Sequence, residues 1–170
     1  MPKGLKQTSS TVAIGFSVDE TAANTFSQEQ IDLNLSPLDR EVFVVQAVDL
    51  TLSSPNALAA IDTAFAASIT TTSQTAVAEL DNANCMAVAV NQIRAAGFVD
   101  GGVGFSQTSG ESPNTLLEYV AIIATNDFFV QMIGSGNTTP GRLTGKLYGY
   151  RAVANADIYA ALVQSEVLSA

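Results

Sequence analysis

The chain has 170 residues, 47% of them hydrophobic and 14% charged, with 16 acidic residues against 7 basic ones for a formal charge of −9. A protein that grips nucleic acid neutralises phosphates with Lys and Arg, so this balance argues against direct genome binding. With no histidine and one cysteine, the usual zinc and copper ligand sets, intrachain disulfides and His-dependent nucleophilic triads are all excluded.

Residues 1–10 read as a flexible leader whose two lysines, Lys3 and Lys6, release too few counterions to hold a polyanion. Gln7-Thr8-Ser9-Ser10 stands where a signal peptide needs an apolar core, so no export signal is expected. No apolar run approaches the length of a membrane span, and no transmembrane helix is expected either.

Val12, Ile14, Phe16 and Val18 alternate with small or polar residues, the pattern of a half-buried strand. After a loop at 19–24, alternation resumes with Ile31, Leu33 and Leu35 inward, and Ser36-Pro37-Leu38-Asp39-Arg40 makes a turn. Residues 41–52 form the longest expected strand. Val42-Phe43-Val44-Val45 is apolar on both sides, which requires cover on both faces, and Val48, Leu50 and Leu52 continue a single face.

In residues 57–67, Leu58, Ile61, Ala64 and Phe65 stand at helical spacing and predict a short helical insertion. The Thr-rich segment 68–76 reads as an edge or surface strand with little to bury. Asp81-Asn82-Ala83-Asn84 is a turn; its oxygens could suit calcium, but the EF-hand spacing is missing and no metal is expected. Cys85 reads as a small buried hydrophobe beside Met86, without a base to activate it. Residues 85–93 suit a strand of small residues, with a helix as the alternative. The glycines between Gly97 and Gly110 match neither dinucleotide nor P-loop spacing and are read as a loop with a short strand near Phe105, so no cofactor is expected.

Residues 119–151 carry the strongest signal. Apolar and β-branched runs through Ile122 and Val130 lead to a break at 134–141, after which Leu143 and Leu147 alternate with Thr144, Lys146, Tyr148 and Tyr150. This predicts a long hairpin. Asn155 or Asp157 can then cap an amphipathic helix through Ile158, Tyr159, Leu162, Val163 and Val167.

About eight strands without strand–helix repetition predict an all-β fold: an antiparallel β-sandwich, an eight-stranded jelly roll, with a short helical insertion and a C-terminal helix. The expected layout is a leader at 1–10, a sandwich at 11–153 and a helix at 154–170.

In architecture, the alternation at 12–18, the strand at 41–52, the segment 119–151 and the neutral Ser/Thr/Asn surface resemble the small single jelly-roll capsid proteins of icosahedral viruses. The resemblance implies a structural virion protein, made in the host cytoplasm, that assembles with other copies of itself and has no catalytic residues. Many members carry an Arg-rich arm, and residues 1–10 do not form one. The implied neighbours are therefore a second shell protein, an inner lipid layer or solvent.

Three of the seven basic residues, Arg142, Lys146 and Arg151, fall within ten positions alongside Tyr148 and Tyr150. With Ile158 and Leu162 of the terminal helix, they form the expected subunit interface. The alternative function is a β-sandwich binding module, such as a viral spike or a cell-surface carbohydrate-binding domain; the absence of Trp weighs against it.

Overall fold

A computed structural model describes residues 2–97, 105–109 and 117–169, the middle segment by backbone course alone. The glycine-rich stretch therefore lies mostly outside the described residues. Those that are described form ten strands and one helix: β1 (Leu5–Gln7), β2 (Val12–Asp19), β3 (Ser27–Asp32), β4 (Glu41–Leu52), β5 (Thr63–Thr70), β6 (Cys85–Arg94), β7 (Phe105–Ser109), β8 (Ala121–Ile123), β9 (Asp127–Ser135), β10 (Arg142–Ala154) and α1 (Ala156–Leu168).

They make two antiparallel sheets. Sheet 1 runs β2-β10-β4-β8, with β1 continuing the β2 edge along the end of β10, and sheet 2 runs β3-β9-β5-β6-β7. Apart from β1 and β7, the chain steps between sheets at every connection but β5–β6, which is the strand order of a jelly roll. The expected sandwich is thus the observed fold.

Two local expectations are overturned. Residues 119–151 are not a hairpin: β9 pairs with β3 and β5 in sheet 2, whereas β10 pairs with β2 and β4 in sheet 1. Alternation and turn residues mark where the chain reverses, not which backbone it then bonds. The helical insertion at 57–67 is also absent. Thr63, Phe65, Ala67 and Ile69 point into the sandwich at period two, and pairing with β6 and β9 on both sides outweighs the helix propensity of the alanines.

The Thr-rich segment is no edge strand. Its start completes β5, a central strand, and the connection after Thr70 folds over the outer face of sheet 2. There the fully buried Gln131 side chain accepts from Ser68 Oγ at 2.8 Å and donates to Thr70 Oγ1 at 2.6 Å and to Gln28 Oε1 at 3.0 Å. Gln28 Oε1 also accepts the Gln74 N–H at 2.9 Å, and Ser68 Oγ accepts that of Ala78. Amide and hydroxyl groups thus satisfy a buried polar layer without charge.

The main core lies between the sheets. Phe43, Phe65, Phe128, Ile69, Leu143 and Leu147 are all essentially inaccessible, each contributing about 1.5–3 kcal/mol by burial. Phe16 and Phe128 meet edge to face across it, their ring centroids 5.9 Å apart. A second cluster, with Leu5, Val42, Val44, Tyr150, Ala152 and Ala154, lies on the outer face of sheet 1 beneath α1. This is the double cover that the run 42–45 requires. Between Val45 and Ala47 the register to β10 shifts and Gln46 is left over as a bulge, so Val48 returns to the inner face.

Leu5–Gln7, within the expected leader, forms β1 because Leu5 has an apolar seat in that second cluster. Gly4, at φ +83°, lies where a Cβ would collide with Ile158. No helix among the described residues is long and apolar enough to cross a membrane.

Candidate assembly surfaces

The residues expected at an interface separate into three environments. Tyr150 is buried beneath α1, and its hydroxyl is pushed above the usual tyrosine range, chiefly by desolvation and further by the charge of Glu118. Ile158 and Leu162 pack from the helix onto that same cluster. Arg151 is turned inward to its own chain: Nη1 donates to Glu41 Oε2 and to the Asn34 carbonyl, both at 3.0 Å, and Nη2 donates to the Leu33 carbonyl at 2.6 Å.

Arg142, Lys146 and Tyr148 lie on the outer face of β10 beyond the helix, the first two exposed and Tyr148 half-buried. Arg142 pairs with Asp19 at 3.6 Å, and Lys146 stands across from Asp49 of β4 in the register. Each cation of the presumed basic strand thus has an acidic neighbour on an adjacent strand of its own sheet, and the local charge is largely compensated.

Helix α1 starts at Asn155, whose Oδ1 accepts the Ile158 N–H at 2.9 Å. Its apolar residues are distributed around the axis rather than confined to a stripe, and the only buried side chain on it is Glu166. Sequence reasoning missed that residue; its place four residues after Leu162 and eight after Ile158, on their face of the helix, was the available signal. The carboxylate accepts the N–H groups of Ala124 and Thr125, both at 2.9 Å, and burial pushes its proton affinity up against the opposing pull of these bonds.

At the helix C-terminus, Asn84 donates to the Ser169 carbonyl at 2.8 Å. Leu33 N–H and Leu35 N–H are held by the carbonyl and the side chain of Asn126. These bonds gather the β3–β4, β5–β6 and β8–β9 connections with the helix end at one end of the sandwich. From that end project Leu38 (96% exposed), Leu80 (70%), Val167 (61%) and Leu168 (76%). Beside them a cleft of about 220 Å³ is lined by Thr71, Asn84, Cys85, Leu162 and Glu166 among others. The Thr71 hydroxyl is buried there without a partner among the described residues. Cys85 is half-buried, and desolvation pushes its thiol up, which reduces the thiolate fraction.

The opposite end is clamped by polar side chains bonded to backbone. The buried Glu20 carboxylate accepts the N–H groups of Gly134, Gly141 and Thr25. Asn137 exchanges bonds with Asn24 and accepts the Asn56 N–H, while Asn56 Oδ1 accepts the N–H groups of Thr138 and Thr139. Asp62 accepts from Ala95 and Ala96, which together with nearby Arg94 hold its carboxyl below the usual range. No group of three or more carboxylate or thiol ligands suited to a metal occurs among the described residues.

No protein-family model and no curated protein matches the sequence. Among solved structures, one from Desmodium yellow mottle tymovirus is similar over 92% of this chain and 95% of that chain, at 12% identity and a TM-score of 0.32. At that TM-score the likeness carries no argument.

Proposed function

We propose that this chain is a structural subunit of a virus particle: a self-assembling capsid protein that works as a homo-oligomer in the virion and performs no chemistry itself. A jelly roll alone hosts many functions. The observation that carries the reading is that the four most exposed of the large apolar side chains among the described residues, Leu38, Leu80, Val167 and Leu168, all project from one end of the sandwich. Exposed apolar groups gathered on one surface mark contact with another macromolecule. The polar clamps at both ends support the same reading, because a shell subunit must present its contacts from a fixed frame.

Light scattering across a concentration series, with electron microscopy of the same fractions, tests this. Rings, capsomers or shells are expected. A monomer at every concentration and ionic strength overturns self-assembly and moves the binding-module reading to first place.

A further inference from the structure

We propose that β2 is a pairing edge through which two copies of this chain join, antiparallel, into one continuous sheet; this rests on the assembly reading and names a surface for it. A sheet edge offers a row of unpaired N–H and C=O groups, and proteins that avoid edge pairing blunt their edges with charge, proline, bulges or brevity. The four principal edges here differ in this respect. β8 has three residues and β7 five; β3 has six and carries Glu29 and Asp32. β2 has eight residues in unbroken register with β10, with no lysine, proline or bulge. Its single charge, Asp19, is at its last position and paired with Arg142. Among the described residues, no backbone or side-chain group bonds the other edge of β2.

Gly15 stands at the middle of this edge. It lies mid-strand and exposed, and a Cβ built there meets nothing within 4 Å. A mid-strand glycine weakens a strand and often marks a place where another backbone comes close. Its backbone pairs with Lys146 of β10 on one side, and nothing in the described chain covers its outer face, whereas Gly145 and Gly149 of β10 are crowded by Phe16 and Phe43.

The occupant that fits is a second β2. A two-fold axis at Gly15 sets Gly15 against Gly15, Ala13 against Ser17, Ile14 against Phe16 and Val12 against Val18. Inward residues then face inward residues, as register demands. The two Asp19 side chains fall at opposite ends, so no like charges oppose. Because each copy carries a formal charge of −9, pairing should strengthen as salt screens the long-range repulsion.

The test is Gly15→Glu, for which the monomer has open space and Lys146 directly opposite on β10. It sets two carboxylates opposite each other only if the pair forms. The variant should keep the wild-type circular dichroism and lose no thermal stability as a monomer, while its association weakens by about tenfold or more. Thr51→Glu, the same charge change on the exposed face of β4, should leave association unchanged. In hydrogen exchange, β2 amides should gain protection on going from dilute to assembled wild-type protein. If wild type assembles and Gly15→Glu assembles equally, without added protection of β2, the edge assignment falls and the shell reading stands. If wild type never associates, both fall.

Discussion

The carboxylate of Glu166 accepts the backbone N–H of Ala124 at 2.9 Å, fastening α1 to the β8–β9 turn through the one buried side chain of the helix, an acid. The helix is therefore held by a group whose charge is costly where it sits. Burial raises its proton affinity and nearby Asp127 adds to the rise, while the N–H groups of Ala124 and Thr125 offset part of it. Because the folded form binds this proton more tightly than the unfolded one, the contribution is fully present below the ordinary value of 4.5 and is lost as pH rises through the raised folded value. Against Glu166→Gln as reference, which subtracts the other carboxylates, wild-type stability should fall from pH 4 towards neutrality. Urea titrations at stepped pH measure this, and a difference constant with pH would remove Glu166 as a titrating anchor.

Gln131 anchors the covering connection on sheet 2. Replacing it with alanine strands Gln28 and Thr70 and opens a cavity, at a cost of about 3 kcal/mol. Gln131→Met fills the space without the bonds and should cost about half as much. Chemical denaturation gives the two values, and limited proteolysis should cut within residues 71–84 faster in both variants. Equal, negligible losses would mean that the polar layer does not hold that segment.

Sequence reasoning recovered what depends on a residue and its near neighbours. The run at 42–45 demanded cover on both faces, and it has Phe43 and Val45 in the main core with Val42 and Val44 beneath α1. Asn155 was legible as one of two candidate caps, with Asp157, because a cap's side chain acts three residues away. Pairing was not legible, since the backbone of β10 bonds strands more than ninety positions distant. For the same reason Tyr150 read as an exposed aromatic: its place on the polar face of the strand was correct, but which element covers that face is a tertiary fact. Glu20, Gln131 and Glu166 are surface types by composition, and only their buried backbone and amide partners reveal otherwise.

Glycine substitutions should separate packing from openness. At Gly149 a Cβ would press on the Val44 carbonyl oxygen and lie 2.5 Å from the Phe43 ring, and a backbone oxygen in a central ladder cannot withdraw. Gly149→Ala should cost about 2 kcal/mol, lowering the thermal midpoint by roughly 6 °C. At Gly15 the space is open, so Gly15→Ala should stabilise the monomer by about 0.5 kcal/mol through the unfolded chain. Calorimetry of dilute protein checks both, and equal shifts would contradict the close approach at Gly149.

The exposed apolar end distinguishes assembly from mere fold. Leu38 and Leu80 stand on connections whose backbone is fixed by other residues, such as Asn126 holding Leu35 and Asn82 accepting from Asn84. Their side chains contribute little to the monomer, so Leu38→Ser with Leu80→Ser should change its stability by no more than about 0.5 kcal/mol. If the α1 end is a contact surface, the double variant should need a much higher concentration to reach the same assembled mass in light scattering. Adding Val167→Ser should extend the effect, because that side chain leaves the same end of the sandwich. Assembly at the wild-type concentration would place the contact elsewhere, with the β2 edge as the remaining candidate.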